Sequence, residues 1–450
     1  MRFKPSILIL SLIACSFVFA QSASASDPAP ERLARLAVSE NVAESGRAIA
    51  ALRGMGPAGL RAMFEVYRSE IERHTQSTSK DESPEWRRLT AALDSVSQQR
   101  DSYAAGLYWY TDLEQAKRAA AAERKPILSL RLLGNLNEEF SCANSRFFRT
   151  VLYANREVSS LLRERFILHW KSVRPAPRVT IDFGDGRKLE RTLTGNSIHY
   201  ILDTQGRLVD ALPGLYGPKA FMNGLAQAEE VVRQYEGKDE GMQADIFYRY
   251  HRGRVNLTAS AWTADVQKIG GKVPNTVLAR VSARNQNPSA MEAAPWAMTK
   301  MVVEANILKS ITTDARELEA VTDNEAWAKI AALHLPDSQL DERSIALIRR
   351  HTPTTGETAS AGHAKTSDKD QLSRIVENLE RNMALDTVRN EYILRNRLHA
   401  WLATSLPNTP LETFNDKVYA ELFLTPGSDP WLGLYSPDSY TALENGGISK

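Results

Sequence analysis

The chain has 450 residues, 43% of them hydrophobic and 24% charged, with 56 basic side chains against 54 acidic. A near-neutral balance gives no general electrostatic pull toward nucleic acid or anionic lipid. The length predicts two or three domains, and after the N-terminus no apolar stretch is long enough to span a bilayer.

Residues 1–25 read as a secretion signal: Arg2 and Lys4 form the basic end, and Ile7 to Ala20 an apolar run too short to cross a membrane. Small-residue cleavage sites precede Gln21 and Ser26. A competing reading takes Leu12-Ile13-Ala14-Cys15 as a lipobox, with Cys15 lipidated, although the apolar run continues past it. An uncleaved anchor is disfavoured by the shortness of the run. Either processed form places the protein outside the cytoplasm, in the periplasm or cell envelope. Loss of Arg2 and Lys4 leaves 54 basic residues against 54 acidic. If Cys15 is removed, Cys142 is the sole thiol, and no intramolecular disulfide can form in a compartment that permits them.

Residues 26–105 have helical spacing. The stretch Ala43 to Met63 holds two helical patterns around a Gly54–Pro57 break, a hairpin of the HEAT type without a second copy. A polar stretch, Thr75 to Ser83, separates it from a further helix over Trp86–Arg100.

From 106 to 237 strands and helices alternate. The patterns predict a helix over Asp112–Arg124, a buried strand over Pro126–Leu133, a helix over Ser145–Arg165 and a strand over Phe166–Trp170. Two hairpins follow: Val179–Phe183 with Lys188–Thr192 around Gly184-Asp185-Gly186, and Ser197–Leu202 with Arg207–Leu212 around Asp203–Gly206. A helix over Lys219–Tyr235 closes the unit.

Residues 238–351 read as helical, with segments at Gly241–Lys268, Ala293–Ser310, Asn324–Leu333 and Asp341–Arg350. Residues 352–370, rich in Ser, Thr, Ala and Gly, read as a flexible linker. In 371–450 an amphipathic helix from Asp370 to Ala403 is followed by a short one over Phe414–Phe423 and a proline-stiffened tail. The long helix has a polar middle, in which Arg389, Asn390 and Glu391 point to an internal polar network more than to a binding site.

Cys142 follows the strand-like run and opens a helical pattern, a position where the helix dipole favours a thiolate. Three residues on stands Ser145. Phe140, Phe147 and Phe148 supply the opposing reading, a thiol enclosed by apolar side chains. His199, in the strand after the loop, is a candidate imidazole partner for Cys142 or a strand histidine bonded to a neighbour. None of the eight histidines has local metal-site spacing, and there is no nucleotide-binding glycine loop, so neither metal nor cofactor is expected.

Trp109 to Ala116, Lys125-Pro126-Ile127-Leu128, the Cys142 helix, Val158 before the Phe166 strand, Leu202-Asp203 to Val209 and Leu212-Pro213-Gly214 occur in an order that resembles the thioredoxin superfamily. The resemblance implies an α/β thioredoxin-like domain flanked by an N-terminal helical arm and a C-terminal all-α domain. It also implies that the attacking cysteine maps to Cys142. The chain departs from the family near that site: Ser145 holds the second-cysteine position, Leu133–Glu139 lengthens the loop, and Ile198 or Ser197 replaces the cis-proline.

A lone thiolate can attack a disulfide but needs an external thiol to release its target. The primary expectation is therefore a monothiol, Cys-x-x-Ser protein of the cell envelope, with Cys142 as nucleophile and Ser145 donating a hydrogen bond to it. The alternative is a non-catalytic adaptor binding a protein partner. Nucleic acid is not an expected partner, and membrane contact is expected only through the signal or a lipid on Cys15.

Overall fold

The computed structural model describes residues 29–77, 82–192, 195–270, 324–352, 368–405, 409–425 and 427–428. The signal, the helix expected over Ala293–Ser310, most of the linker and most of the tail lie outside the described residues.

Six helices build the arm: α1 (Pro30–Leu36), α2 (Val42–Gly54), α3 (Pro57–Val66), α4 (Arg68–Gln76), α5 (Pro84–Ser97) and α6 (Ser102–Ala105). Asn41 caps α2, accepting from the Ala43 and Glu44 amides, and Ser83 caps α5 through the Trp86 amide. The turn between α2 and α3 uses Gly56 at φ +66° and Pro57 in the first helical turn. Gly59 lets the two helices meet backbone to backbone, since a Cβ there would lie 2.0 Å from the Leu52 carbonyl oxygen. Leu52, Met63, Trp86 and Leu93 fill the core beneath them.

The central unit contains β1 (Trp109–Tyr110), α7 (Leu113–Glu123), β2 (Ile127–Leu133), α8 (Ala143–Phe147), α9 (Arg156–Arg165), β3 (Ile167–Arg174), β4 (Arg178–Asp182), β5 (Lys188–Thr192), β6 (Ile198–Leu202), β7 (Leu208–Pro213) and α10 (Pro218–Tyr235). Five strands form a mixed sheet in the order β1-β3-β2-β6-β7. The pairs β1/β3 and β3/β2 are parallel, and β2/β6 and β6/β7 antiparallel. The hairpin β4–β5 stands apart as a two-stranded sheet with alternating exposure. Every residue of β2, β6 and β7 is buried, as expected for strands covered on both faces.

The helix expected over Ser145–Arg165 is in fact two. After α8, residues Phe148–Leu152 form a π-turn, closed by the Tyr153 amide on the Phe148 carbonyl. The chain then bends, and Asn155 starts α9 by accepting from the Glu157 and Val158 amides. An N-cap inside an otherwise amphipathic run ended the first helix.

Among the described residues, the helices that follow are α11 (Glu240–Lys268), α12 (Asn324–Leu333), α13 (Glu342–His351), α14 (Asp368–Arg389) and α15 (Asn396–Leu402). A π-helical segment, Asn390–Arg395, joins α14 to α15. The last helix, α16 (Leu411–Lys417), runs into another π-turn, Val418–Leu422. These helices share one core with the sheet: Met383, Leu394, Leu398, Phe414, Val418 and Leu422 belong to the same buried cluster as Ile127, Leu130 and Ile201.

The connection from β3 to β6 contains the β4–β5 hairpin and no helix, so it leaves a sheet face without its own cover. That face, which displays Ser129, Arg131 and Tyr200, is covered by α16: Glu412 meets Arg131, Asn415 accepts from the Tyr200 hydroxyl, and Phe414 packs on the Tyr200 ring. At one sheet edge the Arg53 guanidinium donates to the Trp109 carbonyl, which caps β1 with the arm. At the other, α10, α11 and the 390–395 segment enclose β7. Both edges are thereby closed to further strand pairing.

Candidate functional site

Cys142 sits just beyond the C-terminal end of β2 as the N-cap residue of α8, and its amide donates to the Leu133 carbonyl at 2.9 Å. Gly134, at φ +73°, makes the turn that brings the loop back: a Cβ there would lie 3.1 Å from the Ser141 Cα. The position is the expected one, between strand and helix. Its environment is not. The residue is 0% exposed and belongs to the main hydrophobic cluster, and Ser145 is also 0% exposed. The expectation of an accessible thiol is therefore not met.

Ser145 has a different role from the expected one. Its hydroxyl donates to the Cys142 carbonyl at 2.8 Å, while the Cys142 thiol donates to the Ser145 Oγ at 3.4 Å. A hydroxyl has a single proton, so Ser145 supplies none to the sulfur in this arrangement. The helix behind Cys142 has only 5 residues before the π-turn, which shortens the dipole that would favour a thiolate.

The thiol shares its buried cluster with two tyrosines. Tyr153 and Tyr419 are both held well above the usual phenol range, by burial first and by the charge of Cys142 second. Tyr419 belongs to the π-turn after α16 and donates to the Asn196 carbonyl at 3.2 Å. Next to it the Asn196 amide donates to the Thr425 hydroxyl at 3.0 Å, and an Arg174 Nη donates to the Thr425 carbonyl at 3.0 Å. Residues 418–425 thus lie across the loop that precedes β6, beside Ser197 and Ile198, the two candidates for the cis-proline position. The described residues contain no cis peptide bond.

His199 is not a partner of Cys142. Its Nε2 shares a hydrogen bond with the Tyr153 hydroxyl at 2.6 Å, and its ring packs against Phe148 and Phe221. Burial pushes its pKa down to about 3, so the imidazole is neutral. A second histidine, His169, faces Ser129 at 2.8 Å, and Ser129 accepts from Arg131 at 2.6 Å. Burial and then Arg131 push His169 down to about 3, and all three side chains are buried. A serine–histidine pair without access to solvent serves packing, not nucleophilic attack.

The polar middle of the long helix turns into a buried junction. Arg395 pairs with Asp210 of β7 at 2.8 Å and with Glu391 at 3.0 Å, and Glu391 also accepts from Arg254 at 2.7 Å. Tyr250 donates to Asp210 at 2.6 Å. The Nδ1 atoms of His251 and His399 lie 2.8 Å apart, so one donates and the other accepts. Burial draws His251 down to about 4 and His399 well below the usual range, against the opposing pull of Asp210. His399 is therefore neutral, and its 3.8 Å approach to Asp210 is not an ion pair. Asn390 donates to the Leu215 carbonyl at 2.7 Å, and Arg389 lies over the Trp327 ring. These residues reach β7, α11 and α12. Asp210, His251 and His399 had not been singled out. The available signal was an acid inside the apolar run Leu208–Leu212.

Among the described residues no group of three His, Cys, Asp or Glu side chains is placed to hold a metal ion, and no helix is long and apolar enough to cross a membrane. No family model, curated protein or solved structure matches this chain.

Proposed function

We propose that this chain is a thioredoxin-like scaffold of the cell envelope, whose remaining thiol is a packing residue and whose work is to bind a protein partner. The observation that carries the reading is the complete burial of Cys142, in the same apolar cluster as Tyr153 and Tyr419. Thiol–disulfide exchange requires a sulfur of the partner to reach the thiolate in line, and 0% exposure blocks that approach.

The thioredoxin-like part of the reading rests on the strand order β1-β3-β2-β6-β7, parallel on one side and antiparallel on the other, with the cysteine directly after β2. In such a fold the missing crossover helix between β3 and β6 is replaced by α16, drawn from the far end of the chain. The same segment covers the cysteine loop. Monothiol chemistry is the second reading, favoured by the polar atoms around the sulfur. Ser141 Oγ, Asn144 Oδ1 and Ser197 Oγ are buried without a hydrogen-bond partner among the described residues. It would require residues 418–425 to move away.

Incubation of the folded protein with oxidised glutathione separates the two. The scaffold reading expects no mixed disulfide at Cys142 until denaturant is added. Glutathionylation of Cys142 in the folded protein would overturn it.

A further inference from the structure

A cavity of about 1160 Å³ opens where the arm, the β1 edge and α13 meet. Its floor is apolar, with Leu60, Phe64, Ile71, Tyr108 and Ile345 among the lining residues. Its walls carry seven arginines and one lysine against four glutamates. Lys125 and Glu123 neutralise each other at 2.7 Å, which leaves seven arginines facing three glutamates. Arg61, Arg68 and Arg349 are exposed and make no ion pair with another described residue.

Two further arginines, Arg163 and Arg350, form no salt bridge with another described residue. The Arg163 guanidinium, which donates to the Ala105 carbonyl and the Ser160 hydroxyl, is drawn below its usual range by burial first and by the like charge of Arg343 second, against the pull of Glu164. Arg350 lies over the Tyr103 ring and donates one Nη to the His74 carbonyl at 2.8 Å, while its other Nη is buried with no partner among the described residues. Like charges gathered beside apolar side chains, with a buried Arg350 donor unused, are costly unless an anion joins them.

We propose that this groove binds a polypeptide segment in which acidic side chains alternate with apolar ones. The proposal rests on the scaffold reading above and supplies its partner site. Arginine forks match carboxylates in a bidentate fashion, and aromatic and aliphatic side chains of the floor match the apolar positions. A continuous phosphate backbone fits the groove less well. Glu65, Glu72 and Glu342 stand on the same walls, where they would repel an unbroken row of anions but not spaced carboxylates.

The test uses the whole protein and a fluorescein-labelled peptide alternating Glu with Leu and Phe, with a matched peptide carrying Lys for Glu. Fluorescence anisotropy is expected to show binding of the acidic peptide alone, weakening as ionic strength rises. The triple variant R61E/R68E/R349E, whose changes are all on exposed side chains, should keep the melting temperature and bind about tenfold or more weakly. Inorganic polyphosphate should fail to displace the peptide. Equal binding of both peptides, binding indifferent to salt or to the triple variant, or displacement by polyphosphate would each overturn the proposal. A failed peptide with Cys142 still unreactive rejects the groove and keeps the scaffold. Intact peptide binding with a reactive Cys142 does the reverse.

Discussion

The C-terminal helices close the sheet at two places by opposite means. At the β7 edge the contact is made with charge: Asp210 and Arg395 are 0% and 2% exposed, Glu391 pairs with Arg395 and Arg254, and Tyr250 donates to Asp210. At the cysteine loop the contact has no ion pair: Tyr419 and Thr425 meet Asn196 through neutral groups, the Arg174 guanidinium donates to the Thr425 carbonyl, and Val418 and Tyr419 join the apolar cluster of the thiol. A charge taken out of water needs each partner in place, whereas apolar cover can be thinned a methylene at a time. The two seals should therefore fail in different ways.

Acid should produce the largest effect. His169 and His199 at about 3, His251 at about 4 and His399 well below its usual range stay neutral in the fold, while the unfolded chain takes up protons near 6.5. Their contribution is complete above about pH 6.5 and is lost as pH falls toward their folded values. At pH 5 each accounts for up to about 2 kcal/mol. Asp94 opposes this: burial, and then Asp101, push it up to about 7, so the folded state binds a proton that the unfolded state lacks between pH 7 and 4. It offsets roughly 2–3 kcal/mol at pH 5. Urea unfolding should thus show a net loss of several kcal/mol between pH 7 and 5. A stability unchanged over that range would contradict the neutral, buried state of these histidines.

Next in size is the charged seal. Arg395→Met alone leaves Asp210 unpaired in the interior and should cost about 3–5 kcal/mol. The pair D210L/R395M should recover most of that loss in the same denaturation experiment. Recovery that fails would mean that the ion pair stabilises the edge outright.

Tyr419→Ala should cost about 3 kcal/mol by opening a cavity beside the cysteine loop. It should also speed alkylation of Cys142 by more than the stability loss explains, because the cover itself is gone. Cys142→Ala should be the mildest, about 1 kcal/mol in melting experiments, with partner binding unchanged.

Much of the sheet could be read from local pattern. Ile127 to Leu133 is nearly continuous in apolar residues, and Gly184-Asp185-Gly186 and Asp203–Gly206 mark both hairpins. The turn between α2 and α3 followed from Gly56 and Pro57. What escaped was either very short or very distant in sequence. β1 has 2 residues, too few for a periodicity. The bend after Leu152 depends on Asn155 acting as a cap, which the same residue in a helix interior would not reveal. The cluster that buries Cys142 includes Tyr419, and Asp210 pairs with Arg395. Contacts between such remote positions leave no local pattern, so the sequence held both readings of Cys142, nucleophile and enclosed thiol.

The most direct test is the rate at which iodoacetamide alkylates Cys142 in the native protein, followed by mass spectrometry beside the same protein in denaturant. A thiol sealed under residues 418–425 should react only through rare opening, orders of magnitude more slowly than the denatured chain. Native alkylation at the rate of the unfolded thiol would show an open site and contradict the scaffold.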